Sequence, residues 1–370
     1  HLHFYLVGYK SAERTVVLKG NQSDLQIELS ASVVELRSAL IEESMTKAVQ
    51  KEQSQSLDIM ESRDLFRNGN SSLVKMLEKV PGLTSMSTGT GVSKPVIRGM
   101  GFSRVVVAES GIKQEGQQWG GDHGLEIDPF AVDRVEVIRG PASLLYGSDG
   151  LGGFIHIRPP ELPARNKIGA SLMGTYRSVN DLAGFSGMAY MNKNDYFFRF
   201  RLSTQDYADY RIPADSFVYN SYHLPLVNYR LKNTAGNERN IHLMTGMRKK
   251  WGYSTLTFSR FAQQTGLFSG AHGIPRAYQL NDDGDVRNIS LPSQNVEHIK
   301  LLSNTSLMLN QSWIEIDLGY QDNYRREFSD PHAHGKGPQI QSDVELEFRL
   351  KTISGNVRYH YDFTEASRWV

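Results

Sequence analysis

The stretch Val132-Asp-Arg-Val-Glu-Val-Ile-Arg-Gly-Pro-Ala-Ser-Leu-Leu-Tyr-Gly-Ser-Asp-Gly-Leu-Gly-Gly-Phe-Ile-His-Ile157 decides the fold. It predicts a strand, a tight turn, a short helix, a Gly-rich turn and a second strand. Val135 and Val137 alternate with Glu136 and Ile138 until Gly140-Pro141 stops the strand, because proline has no N–H to give a ladder. Ala142 to Tyr146 suits one helical turn with Pro141 preset at its start. Gly147, Gly150, Gly152 and Gly153 permit backbone angles that other residues resist. Phe154, Ile155 and Ile157 resume a strand.

Upstream, Asp64 to Lys79 is amphipathic, with Leu65, Leu73, Leu77 and Val80 at helical spacing and Pro81-Gly82 ending the helix. Pro95-Val-Ile-Arg-Gly99, Arg104-Val-Val-Val-Ala108 and a turn at Gly111 follow. The string 132–157 and the motifs before it closely resemble the plug domain of TonB-dependent outer-membrane receptors. The resemblance implies a structural motif of Arg98, Gly99, Arg134, Glu136, Arg139, Gly140, Pro141, Tyr146, Gly147, Gly152 and Gly153. It also implies that Arg98 and Arg139 pair with barrel carboxylates, for which Glu315, Asp317, Glu345 and Glu347 are the inward-facing candidates. Receptors of this kind usually carry Asp-Gly where this chain has Ser110-Gly111, a small change of turn chemistry.

Composition bounds the rest. The 370 residues include no Cys and 33 Gly, and carry a formal charge of +1, which gives no reason to invoke nucleic acid. Mean hydropathy is −0.42. The best apolar runs, such as Val105-Val-Val-Ala108, are far too short for a spanning helix. A transmembrane barrel stays open, since its strands alternate lipid-facing and lumen-facing residues. The chain starts without Met at His1 and stops inside a strand-like pattern at Arg368-Trp-Val370, so we expect a fragment cut at both ends.

Downstream of the plug the pattern changes to long alternating strands, near 168–177, 182–192, 195–206, 237–249, 251–263, 295–310, 312–326 and 341–361. Ile314, Ile316, Leu318 and Tyr320 share one face, with Glu315, Asp317, Gly319 and Gln321 on the other. Phe198, Phe200 and Leu202 oppose Arg199, Arg201 and Ser203 in the same way, as do Val344, Leu346, Phe348 and Leu350 against Glu345, Glu347, Arg349 and Lys351. Val357, Tyr359 and Tyr361 then share a face of the other parity, which predicts a bulge or turn near Gly355. The second, fourth and sixth connections are tight, whereas the third, fifth and seventh are long. Barrels of the outer membrane sort their loops by side in this manner, and sandwiches have no reason to. The expected fold class is therefore mainly β: a transmembrane antiparallel β-barrel, present as about 8–9 strands of a larger one, with an N-terminal α/β plug. So few strands cannot close around a plug, because lumen width grows with strand number.

We divide the chain into 1–29, 30–60, 61–162 (plug) and 163–370 (first part of the barrel). Residues 1–29 are similar to the end of the carboxypeptidase-regulatory-like β-sandwich that precedes many Bacteroidetes receptors. Residues 30–60 are a polar linker in which the resemblance implies a Ton box, the segment that TonB grips by strand addition. Ala31-Ser32-Val33-Val34-Glu35-Leu36 is the candidate.

No nucleophile elbow, HExxH, Walker A or CxxC is present, and nothing in the sequence demands an enzyme. Asp122 and His123, in Gln117-Gln-Trp-Gly-Gly-Asp-His-Gly124, resemble the plug-loop pair of zinc-uptake receptors. Loop alternation puts His272, His332 and His334 on the same outward side, and zinc takes three or four N/O ligands from separate elements. His242 and His360 are expected as ordinary lumen-facing residues and His156 as structural. No cofactor is obligatory. The expected partners are TonB, outer-membrane lipid and a scarce ligand, with zinc favoured and haem, a ferric siderophore or a cobalamin as alternatives. A passive porin or a surface adhesin barrel would lack the plug motifs.

Overall fold

In the computed structural model the described residues are 2–4, 12–14, 57–67, 72–116, 120–140, 149–219, 221–268, 282–309, 312–330 and 342–361. The candidate Ton box at 31–36, residues Pro141, Tyr146 and Gly147, and His272, His332 and His334 lie outside them. Near the N-terminus, β1 (Leu2–Phe4) pairs antiparallel with β2 (Ala12–Arg14).

The plug is built on a five-stranded sheet of β3 (Leu57–Glu61), β6 (Val105–Glu109), β7 (Ile112–Lys113), β8 (Arg134–Arg139) and β9 (Gly153–Ile157), in the order β3-β8-β9-β6-β7. The two strands of the 132–157 string, β8 and β9, are antiparallel neighbours, and β9 runs parallel to β6. A separate hairpin joins β4 (Leu83–Ser87) to β5 (Ser93–Ile97). The unbroken Val105-Val-Val-Ala108 run belongs to a strand buried on both faces. Val105 and Val107 enter one cluster with Leu65, Leu73, Leu77, Val135 and Ile155, whereas Val106 and Ala108 pack with Ile138 and Phe154 on the other side.

The helix expected over 64–79 is in fact two. α1 (Ser62–Phe66) and α2 (Leu73–Met76) are separate, and a 3-10 turn at Leu77–Lys79 extends the second. Asn68-Gly-Asn-Ser71 between them is poor helix sequence, and Ser72 restarts the helix by accepting from the Lys75 N–H. The apolar face was read correctly, since Leu65, Leu73, Leu77 and Val80 are all buried.

Eight long strands form one antiparallel sheet whose wall faces the plug: β10 (Ile168–Arg177), β11 (Leu182–Lys193), β12 (Tyr196–Tyr207), β17 (Gly236–Lys249), β18 (Gly252–Gly266), β19 (Ser293–Met308), β20 (Ser312–Phe328) and β21 (Val344–Tyr361). Four short strands, β13 (Tyr210–Arg211), β14 (Ser216–Tyr219), β15 (Tyr222–Pro225) and β16 (Arg230–Leu231), decorate the third connection. Each long strand pairs with its successor among the eight, as a barrel meander requires, and among the described residues no second sheet hydrogen-bonds to them. The second and fourth connections are tight, closing at Lys193–Tyr196 and at Lys249–Gly252. Asn194 and Asp195 both take positive φ, the two-residue hairpin geometry that matches strand twist.

Arg199, Arg201 and Ser203 point inward and are buried, while Phe198 and Leu202 are exposed on the outside. β21 departs from its expected parity. Continuous pairing with β20 sets Tyr320 opposite Ile353 and Ile316 opposite Val357 on the outside. The same ladder turns Glu347, Arg349 and Lys351 outward, and Leu346, Phe348 and Leu350 inward. No bulge occurs at Gly355; the single register shift lies between Glu327 and Phe328. At that height the inner face of β21 meets the plug loop, with the Phe348 ring edge-on to the His123 ring at 5.9 Å.

The arginine expectation is also corrected. Arg139 clasps Asp58 and the Pro81 carbonyl within the plug, and Arg98 lies at an exposed turn. Glu315 and Asp317 pair with Arg358 of the neighbouring strand, and Glu347 faces outward. Plug and wall are joined with the charges the other way round: plug carboxylates meet barrel cations. Asp133 meets Arg199, Glu109 meets Lys300, and Glu126 meets Arg325 and His298.

Candidate functional site

The plug segment 120–128 climbs along the inner face of β19 and β20. Two glycines shape it. A Cβ on Gly120 would stand 2.7–2.8 Å from His123 Cδ2, Asp122 Oδ1 and His123 Nε2, in the gap between the two side chains. At Gly124 a Cβ would press on the β5 backbone, at 3.3 Å from Ser93 N. The Leu125 N–H donates to Ser93 O at 2.9 Å and fastens the segment there.

His123 is 4% exposed. Its Nδ1 donates to the Gly116 carbonyl at 3.3 Å, which leaves Nε2 facing the two carboxylates. Nε2 lies 2.9 Å from Glu327 Oε1 and 3.9 Å from Asp122 Oδ1. The three ligand atoms lie within 4.8 Å of one another. Tetrahedral zinc, with bonds of about 2.0–2.2 Å, needs neighbouring donors about 3.3–3.5 Å apart, so the observed spacings straddle the requirement. A backbone carbonyl on the far nitrogen is the usual way a metal-binding imidazole is oriented. One imidazole and two carboxylates balance a divalent cation in charge.

Beneath this cluster, Glu126 is 3% exposed and held by three wall residues. Its carboxylate meets His298 Nδ1 at 2.9 Å and Arg325 Nη2 at 2.6 Å, and accepts from Asn323. Burial works to raise this carboxyl, but His298 and Arg325 outweigh it and hold it down at about 2. Lys94, 1% exposed, donates to the Gly120 carbonyl and lies over the Phe102 ring. Burial lowers its ammonium to about 8 against the pull of Asp122. Further down, Lys300 donates to Gln114 Oε1 at 3.2 Å, Asn304 to Ser110 O at 2.8 Å and Gln321 to Lys113 O at 2.9 Å.

Asp122 and His123, adjacent in sequence, lie together with Glu327 of β20. Glu327 and His298 were not anticipated. A signal for Glu327 existed: the inward parity through Glu315, Asp317 and Gln321, continued along the strand, reaches Asn323, Arg325 and Glu327. His242 is buried on the inner face of β17. His360 stacks on Trp313 at 4.5 Å, and His156, buried in β9, lies 3.8 Å from Glu136.

Residues 49–154 match the TonB-dependent receptor plug domain. Over 81 residues the chain is 44% identical to a hemin receptor of Yersinia pestis, which is 22% of this chain and 12% of that protein. It is 36% identical over 110 residues to an iron-regulated outer membrane virulence protein of Vibrio cholerae, 28% of this chain and 17% of the relative. In fold it is similar to the FrpB iron transporter of Neisseria meningitidis, with a TM-score of 0.62 at 14% identity over 83% of this chain and 46% of the transporter. The matched segments thus span a small part of these curated relatives, and the chain spans less than half of that transporter. The chain thus joins a segment that matches the TonB-dependent receptor plug domain to an antiparallel wall whose fold is that of the β-barrels of such receptors.

Proposed function

We propose that this chain is part of a TonB-energised import receptor, and that its ligand is a scarce transition metal, free or in a small chelate, held between plug and wall by Asp122, His123 and Glu327. The observation that carries the reading is that these three donors come from two bodies, two from the plug and one from β20, yet gather within 4.8 Å. Imidazole with carboxylate suits zinc better than calcium or magnesium, which prefer all-oxygen shells. His272, His332 and His334 of the outward connections are proposed to complete the shell.

Binding at such a site would be felt by both bodies at once. The contacts below it are polar: Glu126, Glu109 and Asp133 to wall cations. Polar contacts can be exchanged for water, so a pulled plug need not expose a dry core on leaving the wall. The outer membrane has no energy source of its own. TonB, gripping an extended segment on the periplasmic side by strand addition, would supply the pull, with Ala31 to Leu36 as the proposed grip.

Haem is the second reading, favoured by the plug's likeness to a hemin receptor. Against it, the His123 ring is enclosed by Glu327, Gly116 and Phe348, which leaves an axial ligand no open face.

The test is calorimetric zinc binding to the full-length receptor, with zinc uptake by cells carrying it. His123→Ala and Glu327→Gln should each lower affinity by at least tenfold. Gly120→Ala, which touches no ligand chemically but fills the gap between two of them, should do nearly as much. Equal zinc affinity in all four proteins would remove the site, and haem binding without zinc binding would shift the reading to haem.

A further inference from the structure

The outer face of the barrel changes character over a short height. In register across β12, β17, β18, β19, β20 and β21, one outward row reads Phe200, Leu243, Phe258, Leu301, Tyr320, Ile353. The next outward row is Leu202, Ile241, Arg260, Ile299, Asp322, Lys351, and the one above is Thr204, Arg239, Ala262, Glu297, Tyr324, Arg349. The fourth is Asp206, Asn237, Gln264, Asn295, Arg326, Glu347, with no apolar residue left. Rows two residues apart are about 7 Å apart along the strand, so the belt turns from wholly apolar to wholly polar within about 20 Å. The change occurs toward the end that carries the long connections, which in such barrels is the outer leaflet.

At this border lies a groove of about 350 Å³, lined by Arg239, Arg260, Arg326, Asn237, Gln264 and Asn295, with Glu297 and Tyr324 beside them. It opens on the outside of the wall, away from the plug, and so belongs neither to the metal site nor to the lumen. Arg260 bonds Glu297 at 2.6 Å, and Arg326 lies over the Tyr324 and Phe328 rings at 5.5 and 5.6 Å. Three guanidinium groups against one carboxylate leave the groove cationic. A planar guanidinium held on an aromatic face keeps its donors directed outward for a bidentate acceptor.

We propose that this groove binds the phosphorylated headgroup of an outer-leaflet glycolipid. Charge complementarity selects an anion, guanidinium geometry selects phosphate, and the apolar rows directly below select a ligand whose phosphate sits on acyl chains. The lipid's tails would cover Leu243, Phe258 and Leu301 while its phosphate meets Arg239, Arg260 and Arg326. Asn237, Gln264 and Asn295 offer amide donors to the remaining oxygens.

The test is native mass spectrometry of the full-length receptor in detergent, mixed with diphosphorylated lipid A or its dephosphorylated counterpart. The phosphorylated lipid should stay bound at least tenfold better. The triple variant Arg239→Ala, Arg260→Ala, Arg326→Ala should lose that preference, while Arg→Lys at the same positions should keep part of it. Should the triple variant fail to insert, Arg239→Gln alone, at an exposed position, should still lower retention about threefold. Equal retention of the two lipids, unchanged retention in the variants, or inorganic phosphate bound as tightly as the lipid would each overturn the proposal.

Discussion

Glu126 shows how a single residue can bind plug to wall. It offers one buried carboxylate to His298, Asn323 and Arg325, and its carboxyl is held at about 2, below the usual range near 4.3. A depressed carboxyl contributes stability that is complete above its unfolded value and lost as pH falls toward the folded one. The tie should therefore weaken between about pH 5 and 2. Glu126→Gln keeps the shape but not the charge, and leaves Arg325 facing a neutral amide at a cost of roughly 3 kcal/mol. Denaturant titrations of the full-length receptor from pH 7 to 2.5 should show the variant less stable at pH 7 and the gap closing in acid. A gap that is the same at both ends of the range would mean that the charge does not hold the plug.

Among the elements, the apical plug turn at 88–92 bears directly on the wall. Gln263 donates to Gly91 O at 2.9 Å, and Asn180 to Thr90 Oγ1 at 3.0 Å. A Cβ on Gly91 would stand 2.7 Å from Thr265 Oγ1 and closer still to the Tyr207 hydroxyl. Both are buried in β12 and β18 and have little room to yield. Gly91→Ala should cost about 1–3 kcal/mol through overpacking. It should read out as faster protease cleavage of the plug with the barrel intact, and cleavage at the wild-type rate would show that the turn stands off the wall. Strands such as these were legible because lipid outside and a wet lumen inside impose a period of two that the sequence displays directly. β21 misled because its upper half reverses the rule. Phe348 packs inward on the plug loop, and Glu347, Arg349 and Lys351 point outward above the apolar belt. The helix at 64–79 misled because apolar spacing survives a break, and only Gly69 and the capping Ser72 mark it. Asp122 and His123 are adjacent and carry a motif. Glu327 is 204 residues from His123, so its partnership appears only when plug and wall are placed together.

At the scale of the whole molecule, the plug and the wall are two bodies with separate foundations. The plug has its own apolar core around Leu65, Val107, Val135 and Ile155, and the wall is a single sheet in a strict meander. A run of polar contacts joins them, from Asp133–Arg199 to the His123–Glu327 contact among the upper strands. That division lets one body move while the other stays in the membrane, and it makes the shared donor set the place where ligand and movement meet. The central claim is that one metal ion bridges the two bodies at that set. Anomalous scattering at the zinc edge, from crystals of the full-length receptor grown with zinc, tests it most directly. The account predicts a peak about 2.0–2.2 Å from His123 Nε2 and from a carboxylate oxygen of both Asp122 and Glu327. A peak bound by the plug pair alone or by the outer connections alone, or no peak between plug and wall, would contradict it.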